Sequence, residues 1–214
     1  MTVPANPRLY HITHVDNLPA IIADGGLVSD AVMVARGGPQ ATIGMSGIKQ
    51  RRLTLPVHCQ PGTNVGEYVP FYFCPRSVML YIIYRGNHPE LSYRSGQGPV
   101  LHLEADLSAT VAWATTHRKR WAFSLSNAGA YYAEFRCSLA QLGDINWAAV
   151  AATDFRDPSI KEGKQAEFLL HEKLPWSLVT RVGAASVAMR DRAAAIVSHA
   201  GHRTPVDVRP RWYY

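Results

Sequence analysis

The chain is short of cysteine and lacks any long apolar run. Its 214 residues hold three cysteines, Cys59, Cys74 and Cys137, an odd number, widely spaced and without a CxxC pair. That pattern supports neither a disulfide framework nor a zinc site, and it suits a reducing compartment. No uninterrupted apolar stretch is long enough to span a bilayer, and the opening MTVPANPRLYH does not read as a signal peptide, so the expected location is the cytoplasm. The common catalytic signatures are missing as well: there is no GxGxxG, no Walker loop, no GxSxG elbow and no HExxH. Internal repeats and low-complexity linkers are absent. Acidic residues are the scarcer charge, 16 against 22 basic, which leaves a net charge of +6. The balance favours an anionic partner.

What remains is an ordinary globular composition, 47% hydrophobic and 18% charged, long enough for one domain over 1–214 with a real core. The basic residues cluster at Lys49, Arg51 and Arg52, at 118–120, and in a tail with Arg203, Arg209 and Arg211 next to Trp212, Tyr213 and Tyr214. Each cluster alone reads as a solvated face; together, with aromatics beside the last, they read as a surface for nucleic acid.

Period and punctuation predict strands at 9–15, 67–73, 99–107, 165–171, 179–184 and 206–210. Helices are expected at 17–26, 46–53, 77–84, 125–136, 139–150 and 186–198, with a charged loop at 154–164. Strands and helices intermix without regular βαβ alternation, so the fold class is α+β. Residues 29–66, rich in Gly, Pro, Ser and Thr, form a long weakly patterned segment of the kind that carries function.

Three blocks can carry chemistry. In LYHITHV, His11 and Thr13 share a strand face, where they either anchor a ribose or amide or simply satisfy each other at a sheet edge; His11 and His14 point to opposite faces, which argues against a metal. In VPFYFCPRSVMLYIIYRG, Tyr72, Phe73 and Tyr81 either sandwich a flat ring or belong to the core. In KQAEFLLH, Gln165 and Glu167 lie on one strand face about 7 Å apart, with Ala166, Phe168 and Leu170 on the other. Glu167 there is either half of an ion pair with a distant arginine or a carboxylate that stabilises a sugar cation.

LYHITHVDNL, EYVPFYFCPRSVMLYIIYRG, KQAEFLLH and the terminal RPRWYY, in this order, resemble the DarT family of DNA ADP-ribosyltransferases, toxins of the DarT–DarG toxin–antitoxin pairs. The resemblance runs nearly end to end. It implies an ADP-ribosyltransferase fold with a split central β-sheet gripping NAD⁺, no metal, and transfer of ADP-ribose to a base, typically thymine, in single-stranded DNA with release of nicotinamide. It implies a macrodomain antitoxin, DarG, as partner. By the same resemblance Glu167 and Arg52 are catalytic, and His11, Thr13, Asn17, Leu27, Arg52, Tyr72, Phe73 and Tyr81 hold NAD⁺. Lys49, Arg51, Arg76, Asn127, Arg156, Gln165, Arg209, Arg211 and Trp212 are the expected DNA contacts. Residues 29–53 would close over NAD⁺ as a lid. Several relatives place histidine where LSNAG puts Asn127, and asparagine cannot take up a proton near neutral pH. Two other readings keep the residues: the same fold acting on guanine, RNA or a protein side chain, and a catalytically idle module that binds NAD⁺ or nucleic acid.

Overall fold

A computed structural model describes residues 2–214. Among the described residues ten strands occur: β1 (Arg8–His14), β2 (Gly26–Val28), β3 (Tyr68–Tyr72), β4 (Val100–Asp106), β5 (Trp121–Asn127), β6 (Phe135–Arg136), β7 (Ala166–His171), β8 (Lys173–Pro175), β9 (Val179–Ala184) and β10 (Val206–Val208). Eight α-helices lie between them: α1 (Leu18–Ala23), α2 (Asp30–Ala35), α3 (Ser46–Arg52), α4 (Val78–Arg85), α5 (Leu107–Thr116), α6 (Trp147–Ala151), α7 (Pro158–Gly163) and α8 (Val187–His199).

Eight of the strands form one mixed sheet in the order β10-β9-β4-β1-β3-β7-β5-β6, antiparallel except for the β9–β10 edge. Its middle is nearly parted. β1 pairs with β4 along its whole length, Arg8 opposite Asp106 through to His14 opposite Val100, whereas β1 meets β3 only where Tyr10 faces Tyr72. The sheet is therefore split at this point, as the family resemblance implies.

Alternation along β7 works as the sequence predicts. Ala166, Phe168 and Leu170 enter the largest core with Leu9, Phe71 and Phe123, while Leu169 enters a second cluster with Tyr68, Ala122 and Phe135. A third cluster joins Ile12, Leu80, Ile83 and Tyr213. β2 and β8 make a separate two-stranded ribbon. Gly26 has φ of 142°, and a Cβ there would lie 2.0 Å from the Leu174 carbonyl oxygen, so this crossing requires glycine.

The predicted helix at 125–136 is wrong. Its first residues end β5, and the rest make two tight turns (Ala130 N–H to Asn127 O, Ala133 N–H to Ala130 O) before β6. The alanines suggest helix, but WAFSLSN alternates and is drawn into pairing with β7. The predicted loop at 154–164 ends in α7, capped by Asp157, whose carboxylate accepts from Ser159 and Ile160 N–H, with proline at the first helical position. The helix expected at 139–150 is broken into a 3-10 segment, Leu139–Asp144, and α6, with Asn146 capping the latter. The sequence reading misses α2 and α5, although Ser29 and Asp106 cap them, and the three-residue strands β2 and β8, too short to show a period.

The C-terminal RPRWYY is a structural latch. Trp212 lies against Gly183 of β9, where a Cβ would come within 2.4 Å of its ring, and edge-on to Tyr10 and His102. The Tyr213 hydroxyl donates to the Val100 carbonyl at 2.8 Å, and the Tyr214 hydroxyl to that of Arg76 at 2.7 Å. All three cysteines are free thiols. Among the described residues no helix is long and apolar enough to cross a membrane, and no group of three or more His, Cys, Asp or Glu is placed to hold a metal ion.

Candidate active site

A cleft opens where the sheet splits. β1 supplies His11 and Thr13, β3 supplies Pro70 and Tyr72, and β7 with the residue before it supplies Glu167 and Gln165. α3 closes one side with Ile48, Lys49 and Arg52, and α4 another with Met79 and Ile82.

Glu167 sits at the floor, 3% exposed, in a two-pronged ion pair with Arg52: Nη1 to Oε1 at 3.2 Å and Nη2 to Oε2 at 2.9 Å. The backbone N–H of Ala128 donates to Oε1 as well, at 3.1 Å, and the Ser124 hydroxyl accepts from the Glu167 N–H. The carboxylate is thus fixed from the side chain and from the strand at once. Burial disfavours the Arg52 charge, but the Glu167 carboxylate more than offsets this and holds the guanidinium pKa above its usual value. Arg52 remains a cation. Its Nε is buried and has no partner among the described residues.

His11 spans the split, with Nδ1 2.9 Å from the Pro70 carbonyl. A carbonyl only accepts, so Nδ1 carries the proton and Nε2 is an acceptor. Burial lowers the imidazole pKa, outweighing the Pro70 hydrogen bond and nearby Asp30 that favour the charged form, and keeps the ring neutral. Tyr72 shifts the other way: burial, then the Glu167 carboxylate, raises its phenol pKa, and it stays a protonated donor. The cleft therefore offers a fixed carboxylate, a neutral imidazole, a phenol and a guanidinium within one polar floor.

Asn17 lines the cleft, with both ends of its amide engaged by the backbone. Its amide nitrogen donates to the Ala41 carbonyl (2.8 Å) and its oxygen accepts from the Ala41 N–H (2.8 Å), with Thr13 Oγ1 at 3.3 Å. The side chain is a clamp that fastens the segment 39–45, which lines the cleft, onto β1. Leu27 also lines the cleft. Lys49 does so too, held by Asp30 at 3.1 Å. Asn127 and Gln165 meet across the rim, Nδ2 to Oε1 at 3.4 Å.

Other expected residues lie elsewhere. Phe73 follows Tyr72 in the chain, so its side chain turns away and packs edge-on against Trp147 in the core, at 5.3 Å between centroids. Tyr81 packs against Phe155 and Tyr214 rather than in the cleft. The Arg76 guanidinium lies 4.3 Å from the centroid of the Tyr214 ring. Arg156 is turned onto Asp154 by charge-assisted hydrogen bonds in the exposed loop before α7. Arg209 pairs with Asp207, Trp212 is used in the latch, and exposed Arg211 is beside it; none of the three lines the cleft. Arg51 is just outside, its Nε donating to the Gly129 carbonyl at 2.7 Å.

The sequence reading overlooks Asp30 and Met33 of α2, both of which face the cleft. The Ser29–Asp30 start of that helix is a capping signal, Ser29 Oγ accepting from Val32 N–H, and would have revealed it.

Residues 10–214 match the family model described as ssDNA thymidine ADP-ribosyltransferase, DarT. A DNA ADP-ribosyl transferase of Thermus sp. (strain 2.9) is 34% identical over 218 residues, covering 100% of this chain and 99% of that protein. The structure of Thermus sp. 2.9 DarT in complex with ADP-ribosylated ssDNA superposes with a TM-score of 0.90 at 33% identity, over 100% of this chain and 99% of that one. The complex of the same Thermus protein with NAD⁺ gives 0.82 at 32% identity, over 100% of both chains. The chain belongs to the DarT family of single-stranded DNA thymidine ADP-ribosyltransferases.

Proposed function

We propose that this protein transfers ADP-ribose from NAD⁺ to thymine in single-stranded DNA, with Glu167 and Arg52 as its catalytic pair. The observation that carries this reading is the Glu167–Arg52 pair at the floor of a cleft between the two halves of a split sheet. The residues suit the dinucleotide: His11, Thr13, Arg52 and Glu167 line a space walled by Tyr72, Met79 and Ile82.

The chemistry is a displacement at the anomeric carbon of the nicotinamide ribose. The glycosidic bond breaks with its electron pair leaving on nicotinamide, which departs neutral, and positive charge develops on the sugar. Glu167 holds a ribose hydroxyl and stabilises that charge more than it stabilises bound NAD⁺, the condition for lowering the barrier. His11 and Thr13 fix the ribose and carboxamide. Tyr72 supplies one wall for the nicotinamide, without the second ring that Phe73 would have added. Thymine in DNA has a single ring N–H, at N3, and this nitrogen forms the new bond as its proton leaves to solvent. Arg52 is too basic to take that proton, and instead stabilises the deprotonated ring by its charge. Asn127 on the rim donates and accepts hydrogen bonds to the base edge without a proton-transfer role.

A base edge reaches the sugar only when it is unstacked, so single-stranded DNA is the fitting acceptor. The whole chain acts as one domain: the main sheet draws strands from Arg8 through Val208. The family pairing supports a macrodomain antitoxin as partner, and the cytoplasm, where DNA and NAD⁺ are both present, as the place of action.

Incubation with labelled NAD⁺ and single-stranded oligonucleotides of varied base content, beside RNA and protein, tests the reading. Label on thymine-containing DNA is expected. Label confined to guanine-containing DNA, RNA or protein would refute the acceptor, and the absence of any NAD⁺ turnover would leave a binding module.

A further inference from the structure

Two tyrosines stand in water next to the cleft. Tyr131 is 80% exposed and Tyr132 70%, more than any other large hydrophobic side chain among the described residues. Small residues of the same turn are packed inward, with Ala128 and Ala133 buried and Ala130 against the same cluster. The turn is therefore anchored by its alanines while its two rings are kept out. A tyrosine that packs buries on the order of 150 Å² or more, so leaving two adjacent rings exposed forgoes a substantial stabilisation.

The turn is also tied to the catalytic floor. Ala128 N–H donates to Glu167 Oε1, and Gly129 N–H to Asn127 Oδ1 at 2.8 Å. Gly129 is pressed onto α3, where a Cβ would lie 3.1 Å from Ile48 Cγ2 and 3.6 Å from Arg52 Cγ. Arg51 completes the link. Its Nε donates to the Gly129 carbonyl, and its guanidinium carbon lies 5.5 Å from the centroid of the Tyr131 ring. Among the described residues Arg51 has no carboxylate within salt-bridge distance, so its outer N–H groups are free for an anion.

We propose that Tyr131 and Tyr132, with Arg51 beside them, form a stacking platform for nucleotides flanking the acceptor base. The inference rests on the DNA-modifying reading above and adds to it the surface that holds the strand. Exposed aromatic rings next to a free guanidinium are the combination that binds a single strand: rings stack on bases and the cation takes the phosphate between them. A strand whose acceptor base reaches past Asn127 on the rim leaves the cleft over this turn, four residues further along the chain. The flanking bases stack by their faces, so the platform accepts any base, and sequence preference arises elsewhere.

The test measures transfer to thymine-containing oligonucleotides by the unaltered protein, Tyr131→Ala, Tyr132→Ala and Tyr131→Phe, with NAD⁺ cleavage and thermal unfolding followed in parallel. Stacking is worth roughly 1–3 kcal/mol per base, so each alanine variant should raise the KM for DNA about 5- to 150-fold. The KM for NAD⁺, kcat at saturating DNA and the unfolding temperature should stay unchanged, and Tyr131→Phe should behave as the unaltered protein. An abasic site at one flanking position should reproduce the loss in the unaltered protein and add nothing in Tyr131→Ala. An unchanged KM for DNA in both alanine variants, or abasic and alanine effects that simply add, would overturn the platform. Self-association lost in these variants with DNA binding intact would do the same and assign the rings to a protein contact. Failure of the unaltered protein to label any single strand would instead remove the DNA reading itself, and the platform with it.

Discussion

Glu167 meets both readings that the sequence allows: it is half of a buried ion pair and it lines the floor of the cleft. The combination has an energetic signature. Removing one partner of a buried pair leaves the other charge unpaired and costs about 3–5 kcal/mol, whereas replacing both by well-packed apolar residues is often neutral. Glu167→Met and Arg52→Met should therefore each lower the unfolding free energy by about 3 kcal/mol or more, and the double variant should recover most of that loss. All three should be inactive. Urea titrations of the four proteins check this; additive losses in the double variant would mean that the two charges are solvated independently. The pair was legible only in halves, because 115 residues separate its members and no local pattern joins them. Tyr72 and Phe73 are neighbours in an extended segment, so alternation alone should have assigned only one of them to the cleft.

At the scale of elements, the segment 39–45 depends on one side chain. Asn17 uses its amide oxygen and nitrogen on the Ala41 backbone, and each such hydrogen bond contributes about 0.5–1.5 kcal/mol net. Asn17→Ala should raise the KM for NAD⁺ about tenfold while changing kcat little, with faster exchange of the Ala41 amide hydrogen. A fallen kcat with unchanged KM would make Asn17 part of the chemistry instead of the clamp. The latch is tested by Gly183→Ala. Its new Cβ would meet the Trp212 ring at 2.4 Å, and overpacking of this kind costs about 1–3 kcal/mol. A thermal melt no lower than that of the unaltered protein would show that Trp212 moves away freely. Elements with a clean period, such as β7, were legible at nearly their observed bounds. The turn after β5 was not, since NAGAYYAEF has helical composition and only its packing on α3 and pairing next to β7 hold it otherwise.

For the whole molecule, acid stability is set in part by His102. It is fully buried in β4, with Nε2 donating to the Pro75 carbonyl, and burial lowers its pKa from 6.5 to about 4. The unfolded chain protonates near 6.5 and the folded one near 4, so between these values the unfolded state binds the extra proton. Stability contributed by this group is complete above pH 6.5, is lost as pH falls toward 4, and amounts to about 3 kcal/mol across that window. His102→Gln, which keeps a donor for Pro75, should flatten the dependence by about one proton, read from urea midpoints between pH 7 and 4.5. An unchanged slope would place the titration on other groups. The α+β class followed from intermixed patterns along the chain, but the split sheet did not. It depends on long-range pairing of β1 with both β4 and β3, and only the family resemblance pointed to it.

The most direct test of the central claim is transfer of label from NAD⁺ to a thymine-containing single strand by Glu167→Gln, at a temperature where its folded state is confirmed by circular dichroism. The side chain keeps its volume and an acceptor but loses the charge that meets the sugar cation. The expected result is transfer reduced at least a thousandfold, with NAD⁺ and DNA still bound, in line with the loss of an electrostatic group worth about 4 kcal/mol in the transition state. Near-full transfer by the folded variant would contradict the mechanism.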